Sequence, residues 1–298
     1  MKKITSKPKI FAKTFWKSLT NPSYYKDILE AKKSFSFKYL FSLFFVTSLI
    51  VGITISVRML RVVPQTPKFV ETVKTFLVET YPKELKLTLK ENKITTNVKE
   101  PYFINLKEEQ KAAIAPFEHL VVIDTKASPE KIQELNSLFL VNSENLVISD
   151  GSVSGSYKVV PLNETLAKIP NGVSMDKTLF TAILEKMSPY FLKILPRIII
   201  GISIAILLLY APLRGGISFL VEILILLPLS LILFLAAKVL KKKITFSKTY
   251  QMSLHGATIP VTLSFLFGFT GLYPYMMLIS WLAFFIFMFV VVSKLDKS

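Results

Sequence analysis

Residues 249–293 read TYQMSLHGATIPVTLSFLFGFTGLYPYMMLISWLAFFIFMFVVVS, a run of 45 residues without Asp, Glu, Lys or Arg. A helix needs about 20 apolar residues to cross the hydrocarbon core of a bilayer, so this run is long enough for two spans. Gly268, Gly271 and Pro274 predict a break between them, because glycine and proline favour turns. The run therefore predicts a membrane hairpin.

Two more apolar segments precede this hairpin, Ile198–Leu213 and Gly215–Ala237. The motif Arg214-Gly215-Gly216 predicts a turn between them. The triplet Lys241-Lys242-Lys243 then separates them from the hairpin and is predicted to lie at the membrane surface. The paired glycines Gly268 and Gly271 are compatible with close contact between helices.

A separate uncharged run, Tyr39–Val57, is bracketed by Lys38 and Arg58. Its length and flanks predict a first transmembrane helix. It is predicted to be an uncleaved signal anchor, because the basic region before it is long and no small-residue cleavage site follows. The expected fold is an α-helical polytopic membrane protein with about five hydrophobic helices and an inserted small α+β domain.

Composition and charge agree with a membrane location. Hydrophobic residues make up 51% of the 298 residues, and the mean hydropathy is +0.48. The net charge is +17, and residues 1–38 alone carry ten lysines against Asp27 and Glu30. Lysines beside hydrophobic segments indicate the cytoplasmic side and anionic lipid, so nucleic acid is not an expected partner. The chain has no cysteine, which excludes disulfides and thiolate chemistry.

The chain is thus predicted to have five parts. These are a basic cytoplasmic segment 1–38, a transmembrane helix 39–57, an extracytoplasmic α+β domain 58–188, a helical membrane block 189–293 and a tail 294–298. Residues 10–19 form either an amphipathic helix in the headgroup layer or a disordered cationic tail, and Asn21-Pro22-Ser23 ends any helix there.

Periodicity predicts the elements of the α+β domain. They are helix Phe69–Tyr81, a hairpin over 85–98, strands at Pro101–Ile104 and His119–Ile123, helix Pro129–Leu140, a hairpin over 146–160 and helix Lys177–Met187. Asp150-Gly151 is expected at the tight turn of the second hairpin. Ser174 or Asp176 is expected to cap the last helix.

The lysines conflict with simple counting of spans. If both segments between Pro189 and Leu240 cross the membrane, Lys241–Lys243 and the tail lie outside, against the lysine bias. Two resolutions stay open: the block crosses only once, with 198–213 re-entrant or interfacial, or the basic N-terminus overrides the later lysines.

Short motifs resemble a known bacterial family. They are Phe15-Trp16-Lys17-Ser18-Leu19 with Pro22, Lys99-Glu100-Pro101-Tyr102, Val122-Ile123-Asp124-Thr125 and the linker Lys241–Lys248. The pattern is similar to the domain-of-unknown-function 1189 family, which includes the maltodextrin-utilisation membrane protein of bacilli and is distantly similar to Yip-type integral membrane proteins. The resemblance implies a multi-pass protein of the bacterial cell membrane and carries over no catalytic or ligand residue.

The candidate site residues are few. Glu222 lies in an apolar stretch, where ionisable groups are costly and often functional. The alternative is a residue paired with Arg197, Arg214 or a polar helix neighbour, or one that lies near the membrane interface. His119 and His255 lack the spacing of a metal motif. Asp124 follows a strand, where an aspartate more often caps a turn than catalyses. No catalytic, cofactor or metal residue is predicted.

The sequence is compatible with three functions. The preferred one is a non-enzymatic binding or scaffold protein whose partners are the lipid bilayer and either other membrane proteins or a second copy of the chain. The alternative is a transporter or transporter accessory subunit that uses Glu222, with a carbohydrate link by analogy with the family. A membrane-bound enzyme is the weakest, because no cluster of acid, base or metal ligands is present in the sequence.

Overall fold

The computed structural model describes residues 7–105, 116–150, 156–162, 169–268 and 273–295. Contacts divide the chain into a helical unit, Met1–Arg61 with Ile199–Ser298, and an α+β unit, Val62–Ile198. The fold is mostly helical with some sheet. The predicted insertion of an α+β region between helical segments is therefore present.

The described residues form nine α-helices. They are α1 Lys7–Thr20, α2 Tyr24–Glu30, α3 Lys33–Leu60, α4 Thr66–Thr80, α5 Lys131–Glu134, α6 Lys177–Val239, α7 Phe246–Gly256, α8 Thr258–Phe267 and α9 Tyr273–Ser293. The strands are β1 Leu87–Lys90, β2 Lys93–Thr96, β3 Tyr102–Ile104, β4 His119–Ile123, β5 Ser137–Val141, β6 Asn145–Ser149, β7 Tyr157–Pro161 and β8 Ser174–Met175.

In the helical unit, α3 packs antiparallel against α6. The Ser56 hydroxyl donates to the Ser203 carbonyl at 2.9 Å near the end of α3. Earlier in α3, the backbone of Phe44 and Phe45 lies against Gly215, which comes later in α6. The later residue of α6 thus contacts the earlier residues of α3, so the two helices run in opposite directions.

The predicted turn at Arg214-Gly215-Gly216 is wrong. Helix α6 continues through all three residues as part of one helix from Lys177 to Val239. A β-carbon on Gly215 would lie 3.2 Å from the Phe44 carbonyl oxygen and from the Phe45 α-carbon. Gly215 therefore allows a close approach between helices and does not form a turn, so the separate helices 198–213 and 215–237 are one.

The break predicted in the 45-residue apolar run is confirmed. Helix α8 ends at Phe267 and α9 begins at Tyr273. Among the described residues, a β-carbon on Gly268 would meet only the Ser264 and Phe265 carbonyls before it in the chain, so the suggested contact between helices is not seen there. Gly271 lies outside the described residues. Gly256 is the glycine packed tightly here, against Met288 and Phe284 of α9.

The basic N-terminal segment is helical. Helix α1 covers the predicted amphipathic stretch, with Phe11 and Phe15 packed on the apolar core of the helical unit and Trp16 65% exposed. The chain leaves α1 at Asn21, as predicted. The sequence did not predict α2, although Tyr25 and Ile28 in it are almost fully buried.

The α+β unit contains two sheets, with strand orders β2-β1-β8 and β3-β4-β5-β6-β7. The first predicted hairpin is confirmed: β1 and β2 are antiparallel, with Glu91 and Asn92 at φ 51° and 60° in the turn. Two successive positive φ angles match the twist that tight hairpins require. The strands predicted near Pro101 and His119 are β3 and β4, which pair antiparallel.

The predicted helix Pro129–Leu140 is wrong beyond its first turns. Helix α5 ends at Glu134, Asn136 takes a left-handed φ of 44°, and the chain continues as β5. Strand β5 lies parallel to β4 and antiparallel to β6, with Leu140 fully buried. Tertiary pairing therefore overrides the helical spacing of this segment.

The second hairpin pairs β6 with β7, and the pair Ser149–Tyr157 leaves seven residues in the connection. Residues 151–155, which include Gly151 of the predicted tight turn, lie outside the described residues. At the start of α6, the Asp176 carboxylate accepts from the Leu179 N–H at 2.9 Å. Asp176 is thus the cap of this helix, and Ser174 belongs to β8.

Two helical stretches, Lys33–Thr80 and Lys177–Val239, contain segments long and apolar enough to cross a membrane. Only 28% and 22% of the positions in those segments are buried, whereas the core helix of a soluble protein is mostly buried. Met277–Ser293 is a shorter apolar helix. These lengths and exposures favour association with a membrane.

Candidate functional site

Glu222 is a buried carboxyl group on α6. The residue is 8% exposed, and its Oε1 atom has no hydrogen-bond partner. No ion pair joins it to Arg214, Arg197 or any other cation that the structure describes, so the paired alternative is not observed. A buried carboxyl oxygen without a partner is costly, which makes this atom a place where a ligand can bind.

A cavity of about 440 Å³ lies beside Glu222, entirely within the helical unit. Its walls come from α3, α6, α8 and α9. Most of the lining is apolar, and the aromatic members are Phe44, Phe265 and Trp281. The described polar residues that line it are Thr47, Arg214, Ser218, Glu222 and Ser264.

The polar lining residues differ in what they offer a ligand. The Thr47 hydroxyl donates to the backbone carbonyls of Leu43 and Phe44 at 2.9 and 3.1 Å, so its proton is already used. Arg214 is exposed, and its guanidinium lies over the Tyr210 ring at 5.6 Å. Glu222 and Arg214 are therefore the charged groups of the cavity, eight residues apart on one helix.

The lysine triplet divides into different environments. Lys241 and Lys243 are exposed, whereas Lys242 is 7% exposed and donates to the carbonyl of Ser293 at 2.9 Å and to that of Leu295. Those carbonyls lie at the end of α9 and would otherwise lack partners. The structure thus gives Lys242 a capping contact, and the membrane-surface position of the triplet stays a prediction.

His255 lies at the centre of a buried polar cluster that the sequence did not predict. Its Nε2 is 3.0 Å from the Ser36 hydroxyl and its Nδ1 is 3.4 Å from the Ser18 hydroxyl. The imidazole stacks on Tyr39, with ring centres 4.6 Å apart and an angle of 4° between the planes. The cluster joins α1, α3 and α7, so His255 is a structural residue.

The same cluster continues on both sides of the imidazole. The Tyr39 hydroxyl hydrogen-bonds the Thr258 hydroxyl at 2.7 Å, and that hydroxyl donates to the His255 carbonyl at 2.6 Å. The Gln251 amide donates to the carbonyls of Ile28 and Ala31 at the end of α2, both at 2.9 Å. Polar residues within an apolar run are the feature of the sequence that could have indicated this cluster. Their hydrogen-bond partners, however, lie more than 200 residues away in the sequence.

In the α+β unit, the predicted candidates have structural partners. The Asp124 carboxylate accepts from the Lys126 N–H at 3.1 Å, so the residue caps a turn, the role expected for an aspartate that follows a strand. The Nδ1 atom of His119 is 2.6 Å from the Asn105 side-chain oxygen, and its ring packs on Phe103. Among the described residues, no hydrogen bond joins either side chain to a second acid or base.

Several titratable side chains of the α+β unit form hydrogen bonds within that unit. The Tyr102 hydroxyl donates to the Glu84 carboxylate at 2.5 Å, and this bond lowers the pKa of Glu84. Burial, followed by the same carboxylate, raises the pKa of Tyr102 to about 12. Burial and the charge of Asp176 raise the pKa of Tyr81 to about 12. Both shifts favour the neutral phenols.

Among the residues that the structure describes, no group of three or more His, Cys, Asp or Glu side chains could hold a metal ion. Two long apolar helices flank an inserted α+β unit in sequence, and a cavity with a buried carboxyl lies in the helical unit. These features define the class: a mostly helical protein with membrane-spanning potential.

The chain belongs to the family described as protein of unknown function (DUF1189), which matches residues 12–292. The match runs from within α1 to within α9 and confirms the resemblance seen in the short motifs. No curated protein and no solved structure matches the chain. The more distant similarity to Yip-type proteins stays a prediction.

Proposed function

We propose that this chain is a multi-pass protein of the bacterial cell membrane that binds or scaffolds a partner through an α+β unit on the extracytoplasmic side. The observation that carries the proposal is the insertion of residues 62–198 between α3 and the apolar part of α6. Binding, without catalysis, is the role proposed for it, and the partners are lipid and other membrane proteins or a second copy.

The lysine distribution supports one orientation. Helix α3 would carry the chain out after the ten lysines of residues 1–38, and α6 would carry it back once. Lys241–Lys243 would then be cytoplasmic, as the positive-inside rule requires. The contact of Lys242 with the end of α9 brings the triplet and the last turn of that helix together, so the segment from α7 to α9 would begin and end on the same side.

Cysteine labelling tests this orientation, because the native chain has no cysteine. We expect a membrane-impermeant maleimide to label K126C in cells with an intact inner membrane and to label K13C and K243C only after lysis. All three lysines are exposed. The variant S230C, at a fully buried site, is the internal control and should react only after unfolding. Labelling of K126C and K243C from one side would overturn the proposed topology.

Glu222 favours a second candidate function, a transporter or transporter accessory subunit. Ionisable groups in membrane helices often mark ion or proton paths. Under the scaffold proposal, liposomes containing the purified protein should show no proton or oligosaccharide flux above that of empty liposomes. Flux that disappears in E222Q but persists in S230A would favour the transporter and overturn the scaffold proposal.

A further inference from the structure

The cavity beside Glu222 has the chemistry to hold an ammonium group. Glu222 is more than nine-tenths buried, and its Oε1 lacks any partner. A primary ammonium would donate N–H bonds to this oxygen and neutralise the carboxylate, which removes the penalty of a buried unpaired charge. A quaternary ammonium has no N–H and cannot satisfy the same acceptor.

The second charged group of the cavity is a cation. Arg214 precedes Glu222 by eight residues on α6, which corresponds to about 12 Å along the helix axis. Its guanidinium lies over the ring of Tyr210, and no carboxylate among the described residues forms a salt bridge with it. The N–H edge of a guanidinium binds phosphate oxygens in a forked geometry. The cavity lining therefore includes a carboxyl group that can bind a cation and a guanidinium that can bind an anion, about two helical turns apart on α6.

The remaining walls suit hydrocarbon. Between and around the two charges lie apolar residues of α3, α6, α8 and α9, including Val51, Ile217, Val221, Ile225 and Met277. A ligand that matches all three features carries a phosphate, a primary ammonium and apolar chains.

We propose that the cavity binds a phosphoammonium head group, with the amine at Glu222 and the phosphate at Arg214, and that its source is a diacyl phospholipid. That the head group belongs to a lipid rests on the proposed membrane location. The chemistry of the head group rests on the side chains of Glu222 and Arg214. The acyl chains would lie along the apolar wall.

Native mass spectrometry of the full chain in detergent tests the proposal. With added phosphatidylethanolamine and phosphatidylcholine, we expect the wild type to bind the ethanolamine lipid about tenfold or more tightly, because only its amine donates to Glu222. The two lipids share the phosphate and the acyl chains, so the comparison isolates the contact with Glu222. Equal binding would overturn the assignment of the amine.

Three variants separate the contacts. E222Q keeps the size of the side chain but removes its charge, and it should lose the preference for the ethanolamine lipid. R214Q should weaken the binding of both lipids by a similar factor, because both carry the phosphate. S230A is the matched control: the Ser230 hydroxyl is, like the Glu222 carboxyl, a buried polar group of α6 without a partner, but it does not line the cavity. Each variant is checked for an unchanged melting temperature.

The remaining outcomes are decisive. If Glu222 is simply protonated and binds nothing, E222Q will bind both lipids as the wild type does, which would overturn the proposal. Competition by glycerophosphoethanolamine as strong as that by the diacyl lipid would overturn the lipid source and leave the head-group chemistry. Binding in detergent does not depend on which side of a membrane a residue faces, so failure here is distinct from failure of the labelling experiment.

Discussion

Replacing Gly215 by leucine is expected to lower the melting temperature by roughly 6–12 °C, equivalent to about 3 kcal/mol in a chain of this size. Even a β-carbon at this position would lie 3.2 Å from the Phe44 carbonyl oxygen and the Phe45 α-carbon. Both atoms belong to the backbone of α3, which cannot rotate away as a side chain can. The larger leucine side chain must therefore push α3 and α6 apart.

The neighbouring glycine supplies the matched control. A β-carbon on Gly216 would have nothing within 4 Å, so G216L gains the same helix propensity without a clash. Differential scanning fluorimetry of the full chain in detergent measures both variants. G215L should melt well below the wild type, and G216L should melt at or slightly above it. Equal melting temperatures for the two variants would show that α3 and α6 do not cross closely at this point.

Gly215 also explains why the turn predicted from the sequence at Arg214-Gly215-Gly216 is wrong. A glycine pair after an arginine is a common turn signal, and the same pair is equally suited to close packing of helices. Only the position of Phe44 and Phe45, about 170 residues earlier in the chain, distinguishes the two, and local sequence carries no information on that contact. The consequence is large, because the turn was the basis for two separate apolar helices between residues 198 and 237.

Elements with strong local signals were predicted well. The tight turn at Glu91 and Asn92, the α4 periodicity and the end of α8 all depend on residues close in sequence. The helix predicted over Pro129–Leu140 is wrong because β5 depends on contacts that are distant in sequence. Leu140 is buried between β4 and β6, and the parallel pairing with β4 is not encoded locally. Helix and strand spacing are both compatible with a short apolar run, so tertiary contacts decide.

In the candidate site, too, local features could be predicted from the sequence and contacts between distant residues could not. Glu222 was identified from the sequence, because one acid in a long apolar stretch is conspicuous. The cavity beside it was not predicted, since the walls come from four helices separated by up to about 240 residues in sequence. His255 was discounted for lack of a metal motif, and the reason for its burial is visible only when Ser18, Ser36 and Tyr39 are brought together.

Replacing His255 by alanine is expected to destabilise the helical unit by about 3–5 kcal/mol, the range found when a large buried ring is removed. The side chain is fully buried, so the truncation leaves a cavity beside Tyr39 and removes the partner of two buried hydroxyls. The melting temperature should fall by roughly 6–20 °C. H119A, at the half-buried histidine of the α+β unit, should change it far less.

A phenylalanine at position 255 separates stacking from hydrogen bonding. H255F keeps a ring against Tyr39 but leaves the Ser18 and Ser36 hydroxyls without their partner, so it should destabilise by about 1–3 kcal/mol. Adding S36A to H255F removes one unsatisfied hydroxyl and should restore part of the loss, whereas S36A alone should destabilise the wild type. This reversal of sign identifies the hydrogen bond. If S36A lowers the melting temperature equally in both backgrounds, the contact between His255 and Ser36 does not stabilise the fold, and the imidazole is retained for its shape alone.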